Sequence, residues 1–168
     1  IDRVEFVAGP GSSIYGSNAF FGVVNVITRN GKAIGGVELA GSIASAQTAK
    51  GRVTAGGVLD SGLDWIASAT YYDSNGKDLY FPAFDTPDTS NGVALGLDYD
   101  RSASYVGKAS WRGWTLEAAW ADRKKGVANG AYGTVFNDPR SYVQDAQGWV
   151  DFRYNGPLTE ATDLLARV

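Results

Sequence analysis

The chain has 168 residues and carries 15 Lys+Arg against 18 Asp+Glu, a net charge of −3, so it lacks the basic face that a nucleic-acid binder needs. It contains no cysteine and no histidine. That excludes, within these residues, a disulfide framework, a thiolate metal site, a hydrolytic triad and the usual imidazole bases and ligands, and neither a cofactor nor an enzymatic activity is expected.

The first element is a strand over residues 3–8. Val4, Phe6 and Ala8 alternate with Arg3, Glu5 and Val7, the two-residue period of a strand. Gly9-Pro10-Gly11 ends it, because proline cannot donate to a ladder and glycine tolerates positive φ. Ser12 is a candidate N-cap for one short helical turn that passes Tyr15 and closes at Gly16. Val23, Val24, Val26 and Ile27 then form a nearly continuous apolar run, as in a strand buried on both faces. Gly9 and Gly11 match a nucleotide-binding loop poorly, since the next glycine is Gly16 and no Gly-Lys-Ser/Thr follows.

After a polar link at residues 30–35, the pattern becomes seven alternating strands. They are expected at residues 36–45, 52–60, 63–73, 98–111, 114–123 and 146–154, and from Thr162 onward. Val37, Leu39, Trp65, Tyr105, Leu116, Trp120, Val150 and Phe152 fall on one face, against Glu38, Lys108, Glu117, Asp151, Arg153, Asp163 and Arg167 on the other. Every second connection is short: residues 61–62, 112–113 and 155–161 alternate with residues 46–51, 74–97 and 124–145. Trp65, Trp111, Trp114 and Tyr154 lie beside the short turns, where an interfacial belt would sit. No run of 18 apolar residues offers a membrane-spanning helix. Strands of this length with 22 glycines, 5 tryptophans and 9 tyrosines suit a transmembrane barrel, whose lipid face hides in alternate positions. The bland alternative is a soluble β-sandwich that binds a ligand, with the apolar face as its core. Two loops of more than 20 residues on one side count against it.

The segment from Arg3 to Thr28 resembles the end of the plug domain of TonB-dependent outer-membrane receptors. The matching residues are Glu5, Gly9 and Pro10; Tyr15 and Gly16; and Gly22, Asn25 and Thr28 of the strand that leads into the barrel. Two positions depart from the pattern: Ala8 stands where many members have arginine, and Phe21 where many have glycine. The first departure removes the basis for a plug-to-barrel ion pair at that position. The resemblance implies an all-β membrane protein with residues 1–30 as the C-terminal part of a mixed α/β plug. Residues 31–168 would be the N-terminal strands of a plugged transmembrane antiparallel β-barrel. Both ends of the chain read as cut. It further implies active uptake of a large scarce nutrient, a ferric siderophore or similar metal chelate, across the outer membrane of a Gram-negative bacterium. The partners would be TonB, acting through an N-terminal box upstream of Ile1, the outer-membrane lipid and the nutrient itself.

Capture is expected on the two long loops, which a fixed scaffold leaves as variable surface. Tyr80, Phe81 and Phe84 in the first, and Tyr132, Phe136 and Arg140 in the second, are the ligand-binding candidates. Aspartates 73, 78, 85, 88 and 98 could bind Ca²⁺, but they lack EF-hand spacing and more often start turns, so no metal site is assigned. Asn137-Asp138-Pro139-Arg140 reads first as a turn.

Overall fold

The computed structural model describes residues 1–11 and 19–168. Ser12, Tyr15 and Gly16, with the helical turn expected there, lie outside the described residues. The chain is mostly β. Strands β1 (Arg3–Ala8) and β2 (Gly22–Ile27) pair as an antiparallel hairpin with Glu5 opposite Asn25. A one-turn helix, α1 (Gly31–Ile34), follows. Strands β3 (Gly36–Ala44), β4 (Thr48–Val58) and β5 (Asp64–Ser74) lead to a minor hairpin of β6 (Leu79–Tyr80) and β7 (Val93–Ala94). Strands β8 (Asp100–Trp111), β9 (Trp114–Gly126), β10 (Tyr142–Thr159) and β11 (Thr162–Arg167) complete the chain.

Seven strands form one antiparallel sheet in the order β11-β10-β9-β8-β5-β4-β3. It is unclosed, and β3 and β11 are its edges. Residues directly opposite in a ladder share a face, so the register fixes which side chains lie together. Leu39, Val53, Ala69, Tyr105, Trp120 and Gly148 form one row across six strands. The neighbouring same-face row runs Val37, Ala55, Ala67, Gly107, Ala118 and Val150. This face is uncovered: Leu39 is 80% and Ile43 90% exposed. The opposite face carries Glu38, Lys108, Glu117, Asp151, Arg153, Asp163 and Arg167, as the alternation predicts.

The N-terminal segment meets the polar face. Thr28 Oγ1 donates to Glu117 Oε1 at 3.3 Å, and Arg29 pairs with Glu38 at 2.7 Å. Helix α1 was read from the sequence as a polar link. Its signals are nonetheless local: Asn30 Oδ1 accepts from Ala33 N at 2.9 Å, and Gly35, at φ 58°, returns its N–H to Gly31 O, an N-cap and an αL stop. Asp64 on β5 then accepts from Gly31 N at 2.6 Å and Lys32 N at 3.2 Å. The helix lies almost against the sheet backbone, since a Cβ on Gly31 would stand 2.0 Å from Trp65 O and 2.6 Å from Gly57 O.

Four strand boundaries differ most from the sequence reading. The β3–β4 turn is shorter, with Ala46 and Gln47 at φ 60° and 54° and Thr48 N bonded to Ser45 O. Two left-handed residues match the twist of a hairpin, but Ala-Gln lacks the Asn-Gly signature. Strands β9 and β10 run on to Gly126 and back to Tyr142 because Asp122 to Lys125 keep their ladder while breaking the apolar alternation. Strand β10 also continues through Pro157, with a register shift between Pro157 and Thr159, as a bulge permits.

Gly31→Ala should destabilise the chain by about 1–3 kcal/mol, because a Cβ there meets backbone that cannot rotate away. Gly51→Ala, with open space around the added carbon, should stay within about 0.5 kcal/mol of the parent. Denaturant midpoints followed by far-UV circular dichroism compare the two; equal midpoints would show that α1 is not seated on β4 and β5.

Candidate functional site

Residues 75–99 join β5 to β8 and residues 127–141 join β9 to β10, at the same end of the sheet. They fold against each other. Ala94, Leu97, Ala128 and Phe136 are buried together, with Leu79, Phe81 and Phe84 packed around them. This is the one buried apolar cluster among the described residues. Phe136 stacks on Phe84 with ring centroids 4.2 Å apart and meets Phe81 edge-on at 5.8 Å, the two favoured aromatic geometries.

Polar contacts lock the two connections together. Asn137 Oδ1 accepts from Leu95 N at 2.9 Å, and its Nδ2 donates to Ser90 Oγ at 2.8 Å. Lys125 Nζ donates to Asp98 Oδ1 at 2.6 Å and to the Asp98 carbonyl at 2.7 Å. Gly76 and Gly126 allow this closeness, since a Cβ on either would stand 2.1 Å from the carbonyl oxygen of Asp98 or Leu97. The lobe is a preformed surface with a small core of its own.

The structure divides the six ligand candidates. Phe81, Phe84 and Phe136 hold the lobe together. Tyr80 and Tyr132 are exposed. Tyr80 OH donates to Asp85 Oδ2 at 2.8 Å, a bond that raises the phenol's pKa. Arg140 is exposed but turned back on Asp138, two residues away, at 2.5 Å. That guanidinium, helped by the Arg140 backbone N–H, draws the Asp138 carboxyl down to about 2. The aspartates are dispersed: Asp78 accepts from Gly96 N, Asp85 from Tyr80 and Asp98 from Lys125. No group of three or more carboxylates that could hold a metal ion occurs among the described residues.

The described residues of the N-terminal motif have local structural tasks. Glu5 accepts from Asn25 Nδ2 at 3.1 Å across the β1–β2 hairpin, and from Arg3 Nε at 2.7 Å. Gly9 turns at φ 103° and donates to Phe21 O. A Cβ on Gly22 would lie 2.9 Å from Val7 O. Pro10 follows the end of β1, and Thr28 reaches the sheet at Glu117. Tyr15 and Gly16 lie outside the described residues. Sequence reasoning missed Asn137 and Lys125, whose side chains connect the lobe; an Asn before Asp-Pro signals a turn, not a tie to a residue more than forty positions away.

Phe136→Ala should cost the lobe about 3–5 kcal/mol, seen as faster amide exchange over residues 93–98 while the centres of β8, β9 and β10 stay protected. Uniformly raised exchange would show that the lobe and sheet melt as one unit. The lobe should also loosen in acid. The Lys125 ammonium holds the Asp98 carboxyl below its usual range, with help from Lys77 N and against partial burial. A depressed folded value means the stabilisation is complete above the unfolded pKa near 4 and is lost as pH falls through the folded one. Exchange at Lys77, whose N–H bonds Asp98 Oδ2, should therefore gain a component below about pH 4, and Asp98→Asn should flatten that dependence; an unchanged acid response in the variant would exonerate Asp98.

No protein-family model, curated protein or solved structure matches the chain.

Proposed function

We propose that the chain is part of a TonB-dependent outer-membrane receptor, the end of its plug followed by the first strands of its barrel. Its work is uptake of a large scarce nutrient, most simply a ferric siderophore or similar metal chelate. The observation that carries this reading is the inverted arrangement of the sheet. Its apolar face is bare, while the N-terminal segment lies on the polar face.

In water that arrangement runs against the hydrophobic effect, which assigns about 1.5–3 kcal/mol to burial of each large apolar side chain. A hydrocarbon bilayer removes the conflict. Strands β4, β5, β8 and β9 have 11 to 13 residues, enough to cross at a tilt. Trp114 stacks on Phe152 at 5.0 Å beside Tyr154 at the short-turn end, where an aromatic girdle belongs. At the other end Asp73, Arg101 and Lys124 share the outer row and close the apolar band. A soluble β-sandwich needs its second sheet over the apolar face, yet the only second layer among the described residues is on the other one.

In this reading the lobe at the long-loop rim faces outward and holds the substrate, and the polar face lines a lumen that the N-terminal segment fills. TonB engages a box that precedes Ile1 and moves that segment. The task is recognition and gating, without bond breaking.

Spin labels at Leu116 and Glu117, refolded into lipid, test the wall. Leu116 should respond to a lipid-soluble relaxant and Glu117 to a water-soluble one. Equal response at both, or a detergent-free monodisperse monomer, overturns the membrane reading. In the intact receptor, deleting residues 130–140 should weaken binding to whole cells while leaving the barrel inserted; intact affinity with uptake lost would move capture elsewhere.

A further inference from the structure

The polar face holds a patch of side chains that can donate hydrogen bonds and have no acceptor. Ser42 on β3 stands opposite Lys50 on β4, in the row that continues to Ser102 on β8. The row beside it carries Arg52, Thr70 and Ser104. None of these six side chains has a hydrogen-bond or ion-pair partner among the described residues. Other cations of this face are matched, since Glu38 holds Arg29, Asp100 holds Arg123 and Asp98 holds Lys125.

Lys50 and Arg52 are alternate residues of β4 and so stand about 7 Å apart on one face, where like charges repel. Glu38 lies diagonal to Arg52 across the β3–β4 ladder, but it is taken by Arg29. Two positive charges are therefore left uncompensated side by side. They do not project from a flat surface. With Ser42 and Thr70, and with Ala40 and Gly41 of the edge strand, they line a cavity of about 320 Å³. A lining of two cations and two hydroxyls, without a carboxylate, calls for an anion with several oxygens.

We propose that this cavity binds a phosphate group, free or as a monoester. The Arg52 guanidinium donates in a fork to two of its oxygens, the Lys50 ammonium donates to a third, and the hydroxyls of Ser42 and Thr70 donate alongside. A phosphate monoester carries about −1.5 to −2 charges at neutral pH, which matches the two cations. A carboxylate has one charge and two oxygens and leaves half of these donors idle. None of the lining residues belongs to the lobe, so the site goes beyond the uptake reading and does not rest on it.

The test titrates the folded chain in detergent with inorganic phosphate, glycerol 1-phosphate and acetate at matched ionic strength, following the amide resonances of Lys50, Arg52 and Thr70. Both phosphates should give saturable shifts, and acetate should bind about ten-fold more weakly. Tighter binding of glycerol 1-phosphate supports an ester in the cavity, and equal binding supports the phosphate group alone. Arg52→Gln and Lys50→Gln should each weaken phosphate about ten-fold, the usual worth of a charge-assisted hydrogen bond. Arg52→Lys, which keeps the charge and loses the fork, should fall between parent and Arg52→Gln. Lys77→Gln removes the same charge from the β5–β8 connection and should change nothing. Circular dichroism confirms that each variant keeps its strands, and either β4 variant decides alone where the other does not fold. Shifts that do not saturate, acetate binding as tight as phosphate, or equal losses in Lys77→Gln and the β4 variants overturn the proposal.

Discussion

The two-residue period of the extended chain is the constraint from which the rest follows. Because each strand sends alternate side chains to opposite faces, a ladder that pairs Leu39 with Val53 and Glu38 with Thr54 must separate apolar from polar over its whole width. A slip of one residue would mix the faces, since every side chain of the slipped strand would change sides. The separation persists through the pairing of Tyr105 with Trp120 and of Leu116 with Phe152. With the N-terminal segment on the polar side, the apolar side has no partner within the described residues. The surroundings the sheet requires are thus built into its register.

The lobe obeys a different rule. A sheet whose apolar face is bare supplies no core, so the long connections carry their own. Phe136 fills the space between the two connections, and Asn137 and Lys125 then satisfy polar groups that a loose loop would leave to water. Such a lobe loses less conformational entropy on meeting a ligand than a disordered loop would. Aromatic residues that look alike in sequence therefore split into a packed set and a displayed set, with Tyr80 and Tyr132 in the second.

How much was legible in the sequence follows from this contrast. The seven strands and their faces could be read because alternation is a local signal that survives without knowledge of neighbours. Boundaries were lost where the ladder outlasted the alternation, at Asp122 to Lys125, and where Ala46 and Gln47 adopt a turn their side chains do not advertise. Helix α1 was overlooked although Asn30 and Gly35 mark its ends, because one turn is too short to show a helical period. In the lobe the sequence named aromatics but could not rank them. Whether Phe84 is displayed or packed depends on Phe136, which lies more than fifty residues away and reaches it only once β8, β9 and β10 have set the spacing of their ends.

The same geometry decides where the N-terminal segment could move. Helix α1 is seated on β4 and β5 so closely that Gly31 nearly touches the backbone of Gly57 and Trp65, and Asp64 holds both of its first N–H groups. Among the described residues the β1–β2 hairpin shows no seat of that kind. It reaches the sheet through Thr28 and Glu117, and Arg29 adds a half-exposed ion pair with Glu38. Surface pairs of this kind contribute about 1 kcal/mol or less, whereas displacing α1 would uncover packed backbone and orphan its capped N–H groups. A pull on the hairpin from its N-terminal end would accordingly part the contacts at Thr28 and Arg29 before it disturbed Gly31. If the chain works as proposed, the division between a moving segment and a fixed sheet falls in that short stretch, beside the Asn30 cap.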